Sequence, residues 1–266
     1  MSRRDLICRI IVDSQPESGD FNMAADATLL HCAVLKPAGP VVRLYRWKQP
    51  TISVGYFQKH LPAKLPSRLA ECPCVRRLTG GGAILHHHEI TYSCVVPANH
   101  PAASPPLALY DLMHGAIRDC LTECGAHVGS RADFPDSKSP PARPDVQPFL
   151  CFLRSDPRDL VADVAGCRLK PKIVGSAQRR RKGTILQHGS ILLRASPVTS
   201  SIPGVWGLFP DFDEQSFAAI LSGRLAGVLS RNTEMTQYSD PETEFMFDYL
   251  KTRGQNSDGR ASPSFR

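Results

Sequence analysis

A chain of 266 residues with 42% hydrophobic and 21% charged residues can build one large globular core and is not composed like a disordered protein. Its net charge of +7 points to acidic partners, and no apolar stretch reaches the length of a membrane span. The nine cysteines are odd in number, lack framework spacing and follow no export signal, which speaks for reduced thiols and a cytoplasmic location.

The first apolar run, 6–12, is broken by Arg9 and has no small-residue cleavage site, so it reads as a strand rather than a signal peptide. Residues 20–35 read as a helix capped by Asp20, with Met23, Ala24, Ala27, Leu29 and Leu30 on its apolar face and Pro37 beyond its end. Strand-like runs follow at 41–45 and 51–56, joined by a turn containing Pro50. The stretch 74–96 reads as two or three strands interrupted by Gly80, Gly81 and Gly82. The spacing of Leu109, Leu112, Met113, Ala116, Ile117, Cys120 and Leu121 predicts an amphipathic helix over 107–124. From 129 to 147 the composition turns to Pro, Ser, Asp and Arg, as in an exposed loop or lid. Runs 173–177 and 184–193 read as a hairpin across a basic turn, 179–183. Helical patterns return at 213–229 and 242–251, and a disordered tail is expected beyond Gly254. With no internal repeat, the expectation is a single domain over 1–253.

Three consecutive glycines cost backbone entropy and give a core nothing, so something should approach that backbone closely, a ligand or another strand. Cys151 stands at the exit of the polar loop, beside Pro148 and Phe149, where a core cysteine is less expected. Most free cysteines are small buried hydrophobes; a nucleophilic one needs a nearby cation to favour its thiolate. Lys172 is the candidate for that cation, because Val174, Gly175, Ser176 and Ala177 leave room for a ligand beside it. The triplet His86, His87, His88 lacks a Cys or carboxylate cluster at metal spacing, so no metal is expected and His86 is read as a pocket-lining donor. The basic run 179–182 is either a solvated hairpin tip or a landing surface for an acidic partner. A nucleic-acid-binding role ranks last, because no aromatic stacking array or recognised motif accompanies that run.

Taken in order, segments 22–26 (NMAAD), 43–47 (RLYRW), 51–58 (TISVGYFQ), 76–86 (RRLTGGGAILH) with Tyr92 and Ser93, 172–178 (KIVGSAQ) and 187–190 (QHGS) resemble the lipoate–protein ligase and octanoyltransferase group of the biotin/lipoate ligase superfamily. The resemblance implies an α+β fold, a mixed and largely antiparallel sheet with flanking helices. In it the glycine segment and the small-residue strand line a tunnel for a medium-chain acyl group. It implies substrate-binding roles for Arg77, Thr79, Gly80, Gly81, Gly82, Ala83, His86, Gly175, Ser176, Ala177 and His188, with Arg77 and His86 at the rim, and makes Lys172 the motif lysine. Cys151 with Phe152 resembles the cysteine of the transferase branch, as does the helical-looking glutamate segment 88–93. That branch implies octanoyl transfer from acyl carrier protein to a lysine of a lipoyl-accepting protein (glycine-cleavage H protein or an E2 lipoyl domain), through a cysteine thioester and without a cofactor. The alternatives are an ATP- and Mg-dependent lipoate–protein ligase, in which Cys151 is structural, and an amidotransferase acting between lipoyl domains. Neither a nucleic-acid nor a membrane partner is expected.

Overall fold

The computed structural model describes residues 6–58, 67–105, 107–135, 149–154 and 156–255, with side chains as far as 252. In chain order these form β1 (Cys8–Val12), α1 (Gly19–Leu35), β2 (Val41–Tyr45), β3 (Thr51–Val54), α2 (Ser67–Ala70), β4 (Cys74–Arg76), β5 (Ile84–His86) and β6 (Glu89–Val96). Then come α3 (Ala108–Glu123), β7 (Val128–Ser130), β8 (Leu160–Ala162), β9 (Lys172–Arg181), β10 (Thr184–Leu192), α4 (Val205–Leu208), α5 (Glu214–Gly227), β11 (Thr233–Met235) and α6 (Asp240–Gln255).

Eight strands form one sheet in the order β11-β1-β2-β6-β10-β9-β8-β7. Only β1 pairs in parallel, with β2 and β11; the other pairings in this sheet are antiparallel. A second sheet, β4-β3-β5, carries the glycine segment between two of its strands. The α+β expectation therefore describes the chain.

Helices α3 and α5 cover one face of the large sheet, where Tyr92, Cys94, Met113, Ile117, Phe217 and Leu221 meet in the main core. Helix α1 covers the other face and is in turn covered by α6, which sets Met246 and Tyr249 on Ala24, Ala25 and Ala27. This second covering explains why α1 is buried on nearly every side from Asn22 to Leu30, beyond the single apolar stripe its sequence suggests. Its N-cap is Ser18, whose hydroxyl accepts from the Phe21 N–H, rather than Asp20.

Other boundaries shift for local reasons. The 51–56 run pairs only to Val54, after which Tyr56 N–H donates to Thr79 O and the chain turns away. Segment 88–93 is not helical, since β6 starts at Glu89 and is paired on both sides. Arg179 to Arg181 lie in β9 rather than in a turn. The reversal needs only Lys182 and Gly183, both at positive φ (47° and 81°), as a two-residue hairpin loop with strand-matched twist requires. Residues 129–133 of the expected lid belong to β7 and the single turn after it, while 136–148 lie outside the described residues, as do 256–266 of the expected tail.

Candidate active site

Cys151 opens a single 3-10 turn, Cys151–Leu153, held against the glycine segment. Leu150 bridges Ala83 in parallel, and the Cys151 N–H donates to the Ala83 carbonyl at 2.6 Å. The glycine segment itself is set from inside. Arg77, 2% exposed, donates through Nη1 to Ser53 O and Oγ (both 2.6 Å) and through Nη2 to Gly80 O and Gly82 O (3.1 and 2.8 Å). Gly81 takes φ +90°, and its carbonyl comes so near the end of β3 that a Cβ on Gly55 would meet it at 2.1 Å. The close approach the triplet suggests is thus made, in this structure, by another segment of the chain.

Lys172, at the start of β9, reaches back over Gly175. Its Nζ lies 3.8 Å from Cys151 Sγ and 2.8 Å from Asp159 Oδ1, with both charged groups buried. A Cβ on Gly175 would fall 2.3 Å from Lys172 Cε and 2.7 Å from its Nζ. Gly175→Ala should therefore push the lysine from its place while touching no rigid backbone. Displacing a reacting group by an ångström costs up to ~100-fold, so cysteine acylation should fall by at least about tenfold while stability changes by under ~1 kcal/mol. Acylation rate and thermal melting, measured side by side, check this.

Burial pushes the thiols of Cys8 and Cys120 up to about 12 and about 11, and raises Cys94 as well, which marks all three as inert core groups. Cys151 is instead half-buried on the wall of a largely apolar cavity. Gly80, Gly81, Lys172, Gly175, Ser176 and Ala177 line its reactive side; Met23, Tyr45 and Trp47 line the remainder with His86 and His188. Sheet register places these in a row, because Gly175 lies opposite Ser190, Ser190 opposite Thr91 and Thr91 opposite Tyr45. The cavity thus runs across the strands from Lys172 toward Tyr45 and Trp47.

The polar groups along this trough are committed to one another. Burial holds the His86 imidazole below its ordinary value, so the ring is neutral. Its Nδ1–H donates to Glu89 Oε1 (2.8 Å), and its Nε2 accepts from Ser53 Oγ (2.5 Å), whose oxygen accepts from Arg77. The ring also stacks on Trp47 at 3.9 Å. His188 bonds Asp26 at 3.1 Å and Thr79 Oγ1 at 2.6 Å, tying the glycine segment to β10. Arg77 and His86 are accordingly walls rather than rim. Thr79, Gly82 and Ala83 stand behind the cavity, Thr79 bracing His188, Gly82 accepting from Arg77 and Ala83 holding the Cys151 turn. The histidine triplet disperses: His87 stacks on His88 at 3.6 Å and bonds Ser196.

Two contributors carry no signal in the sequence. Asp159 sits in a polar stretch with nothing to single it out. His114 occupies a polar position of α3 and is nonetheless buried. Its Nδ1–H donates to the Arg158 carbonyl (2.7 Å), so Nε2 accepts from Ser176 Oγ (2.7 Å). Ser176 Oγ then accepts from the Tyr92 hydroxyl (2.8 Å), and Tyr92 from Gln187 (2.6 Å). This one-way chain locks β9 against β6 beside the cavity.

A cysteine and a lysine thus meet at one end of the trough, on a mixed sheet and beside the glycine segment. The chain belongs to the lipoyl protein ligase A/B catalytic domain family, which it matches over residues 18–243. It is 34% identical over 203 residues to octanoyltransferase LipM of Oceanobacillus iheyensis, a match covering 74% of this chain and 67% of that protein. It is 35% identical over 188 residues to octanoyltransferase LipM of Bacillus subtilis, covering 68% of this chain and 64% of the relative. The matched stretch thus spans about two thirds of these relatives' length. A lipoate protein ligase from T. acidophilum, solved with bound lipoic acid, superposes with a TM-score of 0.65 at 16% identity over 92% of this chain and 95% of that one, a likeness of fold.

Proposed function

We propose that this chain transfers an octanoyl group from acyl carrier protein to a lysine of a lipoyl-accepting protein, with Cys151 as the acyl carrier between them. The observation that carries the reading is the Cys151–Lys172 contact at the end of an apolar trough. Likeness to two octanoyltransferases supports it. In the first half-reaction the Cys151 thiolate attacks the thioester carbonyl. The carbonyl oxygen becomes an oxyanion facing the Lys172 ammonium, and collapse expels the pantetheine thiolate, which takes up the proton Cys151 gave up. One thioester replaces another, so no nucleotide is required. In the second half-reaction the acceptor lysine amine attacks the octanoyl-cysteine, the C–S bond breaks, and the proton lost by the amine returns to sulfur. Met23, Tyr45 and Trp47 take the alkyl chain out of water at the far end of the trough.

Among the described residues no helix is long and apolar enough to cross a membrane. We place the enzyme in the cytoplasm, working without a metal or nucleotide cofactor. The acceptor is a glycine-cleavage H protein or an E2 lipoyl domain. Such partners would dock where Ala177, on the cavity wall, is followed on the same face of β9 by Arg179 and Arg181. Arg179 stacks on Tyr56 at 4.4 Å, beside Phe57, which is 78% exposed. Arg179→Glu should raise the KM for carrier protein by roughly tenfold and flatten its salt dependence, leaving the single-turnover rate at saturating carrier unchanged.

The test of the function is an acyl-transfer assay with octanoyl-carrier protein and a lipoyl-accepting protein, without nucleotide. Amide formation on the acceptor is the expected result. Transfer only from free acid plus ATP would replace this reading with that of a ligase.

A further inference from the structure

The lysine of the pair has a second partner, and its chemistry differs from that of the sulfur. An ammonium has three N–H donors. Lys172 sends one to Asp159 Oδ1 at 2.8 Å, faces Cys151 Sγ loosely at 3.8 Å and lies 5.2 Å from the centre of the Phe152 ring. Asp159 is fixed on its own side. Its Oδ2 accepts the Asp156 N–H at 2.8 Å, its N–H donates to Asp156 O at 3.0 Å, and its carbonyl accepts from Arg131 N at 2.8 Å. It is 5% exposed, and such a carboxylate stays ionised only with its cation in place.

We propose that Asp159 is the positioning residue of the Cys151–Lys172 pair: it anchors the ammonium off the sulfur and offsets its charge in the resting enzyme. The inference rests on the thioester reading for its catalytic meaning, but not for its geometry. Tethered through one N–H to a carboxylate set in the backbone, Lys172 keeps its remaining donors on the side of Cys151, held only loosely by the sulfur, where they can meet the oxyanion that forms on the substrate. Without the tether, a long and flexible side chain would collapse on the thiolate as a tight ion pair and quench the nucleophile. Burial raises the Asp159 carboxyl above its ordinary value, which the Lys172 charge only partly opposes, so the pair is easily unbalanced.

The first arm of the test needs no acyl donor. Alkylation of Cys151 by iodoacetamide, followed across pH by peptide mass spectrometry, reads the thiolate directly. The other charged or titratable groups facing the site are Arg77, Tyr110, His114, Arg131, Arg154 and Asp156, and each is retained in the variants. Asp159→Asn removes a negative charge near the sulfur, so the alkylation midpoint should fall by about one pH unit. Octanoyl-cysteine formation should nonetheless slow by about tenfold, and Asp159→Glu should recover both the midpoint and the rate. A merely structural lesion would not lower the midpoint while slowing acylation. A midpoint at or above the wild-type value in Asp159→Asn overturns the proposal. Lys172→Met gives an independent arm, since it leaves the carboxylate facing the sulfur alone and should raise the midpoint; an unchanged midpoint there also overturns it. Wild-type alkylation with no octanoyl adduct would count against the octanoyl reading only.

Discussion

Replacing Cys151 with Ala should lower the rate of octanoyl transfer by at least about 10⁴-fold, because the route through a covalent thioester is then closed. Cys151→Ser should do nearly as badly: a hydroxyl at the same place is far weaker as a nucleophile without a base to activate it. Neither change should disturb the fold. The side chain is half-buried and its sulfur has no tight partner, so stability should change by no more than ~1 kcal/mol. The Cys151 backbone N–H, which fixes the turn on Ala83, survives both substitutions. Thermal melting alongside the transfer assay checks the two halves of the prediction. A Cys151→Ala variant that transferred at the wild-type rate would make the cysteine a wall residue and leave the trough as a non-covalent acyl site.

Arg43→Ala should have the largest effect on stability of any single substitution considered for this chain. The guanidinium is fully buried between β2 and α1 and serves two carboxylates, Asp13 at 2.6 Å and Asp26 at 3.0 Å, as well as both Asn22 oxygens. Removing it leaves two buried acids without their cation, a loss of roughly 3–5 kcal/mol. Against a typical total of about 5–15 kcal/mol, much of the protein would be lost to unfolding at 37 °C. Burial alone would raise the Asp26 carboxyl. The His188 hydrogen bond and the Arg43 charge outweigh that and hold it below its ordinary 3.8. A carboxyl depressed in the folded state adds stability that is present above the unfolded value and lost as pH falls through the folded one. The wild type should therefore lose stability on acidification below 3.8. Chemical denaturation of both proteins at pH 7, and of the wild type from pH 6 to 3, measures both effects.

The larger elements were legible because they are long enough to show a period. The α1 and α3 patterns and the β9–β10 hairpin all emerge within a few residues of their observed ends. Strands β7, β8 and β11, three residues each, are too short to display alternation, and their pairing partners lie far along the chain. The arginine run misled because three like charges resemble a solvated tip, whereas long-range pairing with β10 carries the strand through Arg181. In the site, the residue types around Cys151, Lys172 and the glycines implied their chemistry, and the structure places them together. Asp159 and His114 could not be read. An acid in a polar stretch and a histidine on a helix become site residues only when the sheet folds β8 and α3 beside Lys172. The full burial of Arg77 was equally invisible, because it depends on four oxygens from two separate stretches of chain, Ser53 in β3 and the glycine segment.

The most direct measurement is the intact mass of the wild-type protein after incubation with octanoyl-carrier protein and no nucleotide. The account predicts one added octanoyl group, removed by hydroxylamine and mapped by peptide mass spectrometry to Cys151. An unmodified protein under conditions that support octanoyl transfer, or a label on any other residue, would contradict it.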